Sequence, residues 1–208
     1  MIWRAMAAKA RAKTRMSGAQ RREQLLDVTK EIVGEHGFHA VSIEAVARRA
    51  GITRPVIYGH FEDLPGLLEA MIRREGARSL AQLGEVLPTR LAEADSPRED
   101  LLAALRGYLE AVAADPITWR LVLMPPEGAP AALREQITQG RDAVVAALAD
   151  VVRPGLGPGT ESPDPQLTAR TLSAVADEAA RLLLTDSERY PIERLLAHAD
   201  WLLRRLEP

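Results

Sequence analysis

The stretch GITRPVIYGHF, residues 51–61, places a threonine and an arginine ahead of a proline and a valine, then a tyrosine and a histidine two apart. Arg54 carries a planar fork of donors that matches the two acceptors on a guanine edge, whereas Pro55 and Val56 offer only apolar surface, suited to a thymine methyl. The hydroxyl of Tyr58 and an imidazole N–H of His60 can each hydrogen-bond a phosphate oxygen. The chemistry these types share is recognition rather than bond making.

Whether they act together depends on the elements that hold them. Ser42 can cap a short helix, IEAVARRA, whose inward residues are Ile43, Val46, Ala47 and Ala50. Gly51 supplies a sharp turn, Ile52 tucks into the core, Thr53 can cap the next helix, and Pro55 sits in its first turn, where a missing N–H does no harm. Two short helices meeting at a glycine, with the small Ala47 at their crossing, form a helix-turn-helix. The second helix of that motif enters the major groove with its N-terminal residues on the base edges. The candidate DNA contacts are therefore Ser42, Thr53, Arg54, Pro55, Val56, Tyr58 and His60. Ile57 points inward and Phe61 reads as a core aromatic, whereas Arg48 and Arg49 are either further contacts or a solvated face. Ahead of the motif, Leu25, Val28 and Ile32 recur at helical spacing over about 20–36, and the helix stops at Gly37, where Phe38 can fold back on Val33.

Composition agrees with a helical protein. Hydrophobic residues make up 47% of the 208, only 4% are aromatic, and β-branched runs are few, so an all-α chain with a substantial core is expected. There is no cysteine, which excludes disulfides, thiolate metal sites and cysteine nucleophiles, and a reducing cytoplasm fits. No apolar run approaches the roughly 20 residues of a membrane-spanning helix. Residues 1–61 hold 11 Lys+Arg against 5 Asp+Glu, and the remainder holds 16 against 24. That asymmetry suits a polyanion-binding head on an acidic body, or an ordinary solvated tail. The first 22 residues are basic and lack a continuous apolar stretch, so they read as an exposed basic arm.

Residues 20–72, a helix ending in HGF and then SIEAVARRAGITRPVIYGHFEDLPGLLEAM, resemble the DNA-binding domain of the TetR-type transcriptional regulators. The match runs over about fifty residues in continuous register, and the IYGHF tail followed by a new helix narrows it beyond a generic helix-turn-helix. The resemblance implies a head that reads operator DNA, backbone-phosphate roles for Thr53, Tyr58 and His60, and C-terminal helices that bind an effector and dimerise. Leu64, preceded by Glu62 and Asp63, stands where members of that family often carry a lysine, so a phosphate contact is expected to be missing. Arg11, Lys13 and Arg15 of the arm can compensate by following phosphates or entering a minor groove.

The expected organisation is a flexible basic arm over 1–19, a three-helix DNA-binding domain over 20–65, and a larger helical effector-binding and dimerisation domain over 66–208. Ser96-Pro97 with Glu99, Asp115-Pro116 and Asp164-Pro165 mark three helix starts. Helices follow near 63–86, 97–113, 116–124, 130–152, 165–185 and 191–206. RPGLGPGTESPDP, with four prolines and three glycines in thirteen residues, is a loop.

In the body, Leu105, Tyr108, Trp119, Leu123 and Met124 are the candidate ligand-binding residues, with aromatic surface and one polar tip each on Tyr108 and Trp119. Arg120 either orients an anionic ligand or is a plain exposed arginine. The last helix lines Ile192, Leu196, Ala199, Leu203 and Leu206 along one stripe, while Trp201 falls on the opposite side with Arg194, His198 and Arg205. Trp201 there predicts a homodimer through the last two helices, against the plainer reading of intramolecular packing. Asp177-Glu178 reads as one exposed acidic pair.

No HExxH, GxSxG, P-loop or GxGxxG occurs, the four histidines have no metal-ligand pattern, and no cofactor is implied, so an enzyme is not expected. The function expected is a ligand-responsive regulator, a repressor, that binds a palindromic double-stranded operator as a homodimer and is released by a small-molecule effector, without membrane association. The alternative is an architectural or low-specificity DNA-binding protein with no effector.

Overall fold

A computed structural model describes residues 16–86, 97–125, 129–153 and 164–206. Among these, the chain forms nine α-helices and no strand: α1 Gly18–His36, α2 Ile43–Ala50, α3 Arg54–Tyr58, α4 Leu64–Val86, α5 Pro97–Ala114, α6 Pro116–Leu123, α7 Ala131–Val152, α8 Pro165–Thr185 and α9 Ile192–Leu206, with a 3-10 turn at Phe38–Ala40. The basic arm falls outside the described residues up to residue 15, as do Ser96 and most of the proline–glycine loop.

The first helix starts two residues before its expected position. Ser17 and Gln20 form a reciprocal capping box, the Ser17 side chain accepting from the Gln20 amide while Gln20 Oε1 accepts from the Ser17 amide at 2.9 Å. Its other end stops at Gly37 as expected, and Phe38 packs against the cluster that contains Val33. Asp115 and Asp164 cap α6 and α8 with prolines behind them, and the Asp164 carboxylate accepts from the amides of Gln166 and Leu167.

The head is α1, α2 and α3 closed against the start of α4. Leu25, Leu26, Val46, Ile57, Leu67 and Met71 are almost wholly buried in one cluster, which runs on into Leu121 and Leu133 of the body. Apolar packing is therefore continuous from the head into α6 and α7. Gly34 makes this possible on α1, because a Cβ there would stand 2.8 Å from the Ile117 side chain of α6. Two further clusters build the body, one from α5, α6 and α8 around Leu109, Val112 and Trp119, the other from α7 and α8 around Val145, Leu148 and Ala169.

Charge also crosses the head–body junction. Lys30 of α1 is 9% exposed and pairs with Glu75 of α4 at 2.9 Å and with Asp115 at the start of α6 at 2.6 Å. Thr118 donates its hydroxyl to Glu75 at 2.5 Å. Arg74 adds a second tie, reaching Glu23 and Asp27 of α1 at 3.0 and 2.8 Å. A buried cation with two carboxylates and a hydroxyl is stable only while every member keeps its partners.

Candidate nucleic-acid interface and interior cavity

The α2–α3 corner has the anatomy its residues dictate. Ser42 caps α2, its hydroxyl accepting from the Ala45 amide at 3.1 Å. Gly51 ends the helix with φ 67°, a left-handed conformation that costs an L side chain about 1–2 kcal/mol. The Gly51 and Ile52 amides both return to carbonyls of the last turn of α2, and the chain re-enters a helix at Arg54. Thr53 departs from expectation: it is the N-cap residue of α3, but its side chain makes no capping hydrogen bond. With Pro55 in the first turn, one fewer N–H needs capping, and the exposed Thr53 hydroxyl is left facing solvent.

On the short helix α3, Ile57 is fully buried and anchors it to the core. Arg54 and Pro55 are exposed on its other side, with Val56 at 38% and Tyr58 at 54%. Two large apolar or aromatic side chains left open beside an arginine are what a groove-reading surface requires. His60 sits half-buried beyond the helix, against the start of α1 at Gly18.

Arg54 is engaged in this state. It pairs with Glu44 of α2 at 2.8 Å, both side chains about 60% exposed. Hydrogen bonds from its own backbone amide and from Arg54 hold the Glu44 carboxyl below its ordinary value. Such an exposed pair is weak, so Glu44 can hold the guanidinium in place and still release it to a base. Arg49 is tied away from the groove, bonded to Glu35 at 2.5 and 2.6 Å and to Glu31 at 3.2 Å, and thus joins α2 to α1. Asp63, just before Leu64, accepts from the Gly66 amide at 2.7 Å and caps α4.

The body encloses a cavity of about 310 Å³ bounded by α4 to α9. Leu105, Tyr108, Trp119 and Leu123 line it; Met124 does not, and lies 43% exposed past the end of α6. Arg120 is outside as well, donating to the Leu184 carbonyl at 3.0 Å. Tyr108 and Trp119 meet edge to face with centroids 5.2 Å apart. The Tyr108 hydroxyl donates to Asp177 at 3.2 Å.

Asp177 corrects the sequence reading of an exposed pair. Successive residues on a helix point about 100° apart, so Asp177 turns inward to the cavity while Glu178 stays out and bonds Arg181 at 3.2 Å. Burial pushes the Asp177 carboxyl above its ordinary value, outweighing the hydrogen bond from Tyr108 and the nearby Arg141 and Arg181. Burial also raises the Tyr108 hydroxyl, and Asp177 adds to that rise, so Tyr108 stays a donor.

Glu75 belongs to both sites, since it lines the cavity and pairs with Lys30 of the head. Burial alone would raise its pKa, but hydrogen bonds from Thr118 and Lys30 prevail and hold it below the ordinary carboxylate value. Sequence reasoning missed Lys30, Glu75, Asp115 and Thr118 as a group. The one available signal was Lys30 itself, the sole lysine beyond residue 13 in an arginine-rich chain.

Residues 25–71, the segment that folds as the head, match the model of the bacterial regulatory proteins of the tetR family. The head is a DNA-binding domain of the tetR type. The TetR-type match spans α2, the turn and α3, so the helix-turn-helix described above is a DNA-binding one in a transcriptional regulator. Among curated relatives, the HTH-type transcriptional activator FasR of Mycolicibacterium smegmatis is 25% identical over 180 residues, 86% of this chain and 78% of that protein. The HTH-type transcriptional regulator BetI of Serratia proteamaculans is 40% identical over 92 residues, which spans 43% of this chain and 44% of that relative. Among solved structures, a TetR-like transcriptional regulator from Rhodococcus sp. RHA1 superposes with a TM-score of 0.71 at 24% identity, covering 92% of this chain and 97% of that one. SmeT, the repressor of the Stenotrophomonas maltophilia multidrug efflux pump SmeDEF, superposes in its triclosan complex with a TM-score of 0.67 at 24% identity, covering 86% and 89%. At these identities the structural likeness extends the fold of a TetR-type regulator through the body and says nothing further of its ligand. Among the described residues no helix is long and apolar enough to cross a membrane.

Proposed function

We propose that the protein is a ligand-responsive repressor that binds a palindromic operator as a homodimer and leaves it when a small molecule fills the cavity. The observation that carries this reading is the double role of Glu75, on the cavity wall and on Lys30 of the head. A ligand pressed against α4 at Glu75 bears on the element that positions the DNA-binding helices. The cavity also weighs against a purely architectural DNA-binding protein. An apolar-lined cavity of about 310 Å³ is of a size and character suited to a small molecule, and a DNA-binding head has no need of it.

Dimerisation supplies the geometry. Leu167 and Val175 of α8 and Trp201 and Leu202 of α9 are large apolar residues left 38 to 64% exposed on the two C-terminal helices. Apolar surface of that kind on α8 and α9, which both pack on α5, suits an interface with a second copy. A two-fold pair then presents both α3 helices to half-sites about one helical turn apart, roughly 34 Å, or a multiple of it. The effector acts by favouring a spacing of heads that no longer fits, and it can shift that balance only by its difference in affinity for the two arrangements. SmeT is a repressor and FasR an activator, so the sign of regulation needs its own measurement.

Titrating the full chain onto its own upstream DNA and onto scrambled DNA of the same length tests the reading, alongside a promoter–reporter fusion. Tight binding to the first alone, with reporter output rising on deletion of the regulator, supports it. Equal binding to both sequences overturns operator recognition, and falling reporter output overturns repression.

A further inference from the structure

We infer that Arg48 belongs to the DNA-reading surface as the residue that takes over Glu44 when Arg54 turns to a base. This rests on α3 being the helix that reads the groove, and goes beyond it in adding an exchange of partners between two arginines. The three arginines of the helix-turn-helix are held differently. Arg54 is paired with Glu44 at 2.8 Å. Arg49 is drawn onto α1 by Glu35 and Glu31. Arg48 is exposed, and its guanidinium makes no ion pair or hydrogen bond among the described residues.

Helix geometry decides which of the two α2 arginines can serve. Residues four apart on a helix are neighbours on its surface, and a glutamate one turn ahead of an arginine is the more favourable order for a pair, as Glu44 and Arg48 are. Arg49 lies a further 100° or so around α2 and reaches α1 instead. Glu44 meets Arg54 across the motif, so its stripe of α2 looks toward the recognition helix, and Arg48 shares that stripe. The spacing thus offers Glu44 to Arg48, but in the free protein Arg54 occupies the carboxylate. Glu44 is fixed where it stands: it lies in the first turn of α2, and hydrogen bonds from its own amide and from Arg54 keep its carboxyl below the ordinary value. Once Arg54 leaves for a guanine edge, a carboxylate without a counter-ion faces the phosphates and opposes binding. Arg48 has no partner to give up and the right spacing to neutralise it.

The test titrates the full chain onto a fluorescent duplex of its own upstream DNA at several salt concentrations. Arg48→Ala is expected to weaken binding on the order of fivefold, the size of one like-charge contact across water, and Arg48→Lys far less, since a lysine at that spacing can also neutralise Glu44. In a Glu44→Gln background the same Arg48→Ala is expected to lose less than about twofold, because no carboxylate is left to neutralise. The melting temperature of the free protein is expected to be the same with and without Arg48→Ala, as Arg48 has no partner there. An equal loss in both backgrounds, with a salt slope reduced by about 0.9, makes Arg48 a plain phosphate contact and overturns the exchange. No loss in either background, or a loss that follows a fall in melting temperature, overturns it as well. Unchanged affinity in Arg54→Ala overturns α3 as the reading helix, and the exchange with it.

Discussion

Lys30 of α1 and Glu75 of α4 meet at 2.9 Å in a space that leaves Lys30 9% and Glu75 3% exposed. Asp115, at the start of α6, completes the group, so one ammonium holds helices from the head and from the body. Replacing it with an isosteric apolar side chain leaves two carboxylates with their main cation gone. Lys30→Met is expected to destabilise the chain by about 3–5 kcal/mol, the usual consequence of orphaning one side of a buried pair. Urea unfolding with a tryptophan fluorescence readout measures this, and a loss under 1 kcal/mol would show the pair to be dispensable. Adding Glu75→Gln to Lys30→Met is expected to recover part of the loss, since it removes one of the stranded charges.

The same group gives the protein an acid-sensitive component of stability. Burial opposes ionisation of Glu75 and Asp115, but hydrogen bonds from Lys30 and Thr118 prevail and both folded-state pKa values lie below the ordinary ones. Groups depressed in this way bind protons more readily in the unfolded chain. Their contribution is therefore complete above the unfolded values, about 4, and disappears as pH falls through the lower folded values. The urea midpoint of the native chain is expected to fall steeply below about pH 4, and that of Glu75→Gln less steeply. Parallel pH profiles for the two proteins would be the contrary result.

On the DNA face, Arg54 and Tyr58 are expected to fail differently. Arg54→Ala removes a two-pronged contact to one base, so it should cost about 1–3 kcal/mol on the operator and relax preference at a single position. Tyr58→Phe removes one hydroxyl from a side chain 54% exposed beside the motif, so it should weaken operator and scrambled DNA alike. Anisotropy titrations on both DNAs separate the two. Glu44→Gln frees Arg54 from its partner at 2.8 Å and is expected to tighten binding to any duplex, most at low salt.

Much of this head was legible because its signals are local. Ser42, Gly51 and Pro55 each have a short-range backbone role that residue type alone declares, and Ile57 follows from the period of the motif. The body was less readable. Asp115 read correctly as a helix cap, but its pairing with Lys30 joins residues 85 apart in sequence, and nothing local to either announces the other. Asp177 looked solvated beside Glu178 because side-chain direction on a long alanine-rich helix is set by what packs against it, here Tyr108 of α5. Met124 falls off the cavity wall for the opposite reason: α6 ends at Leu123, and the next residue leaves the buried face.

Gly51 offers a clean measure of backbone strain. Its φ of 67° is left-handed, and a Cβ built there has nothing within 4 Å, so a substitution changes conformation energy without a steric clash. Gly51→Ala is expected to cost about 1–2 kcal/mol, and Gly51→Asn less, because asparagine tolerates that conformation best among ordinary residues. Thermal unfolding of both variants checks the order; alanine and asparagine falling together would mean that the turn relaxes rather than holding its shape.

The dimer proposal turns on Trp201. The residue is 49% exposed, its ring stacked on His198 at 5.7 Å and the Arg205 guanidinium over the ring at 4.9 Å. Those neighbours fix its orientation without covering it, leaving a large aromatic displayed beside Leu202 on a helix whose inward side already packs on α5. Burying one such side chain is worth about 1.5–3 kcal/mol, and a two-fold interface counts it twice. Trp201→Glu puts two carboxylates where two rings would meet, and is expected to yield monomers by sedimentation velocity at micromolar concentration while the melting of the head is retained. Because operator affinity depends on both heads engaging together, the same variant should lose at least tenfold in binding to a full palindrome and far less to a single half-site. A stable dimer of Trp201→Glu would place the interface elsewhere on the molecule, and a monomeric native chain would remove the two-headed mode of operator binding altogether.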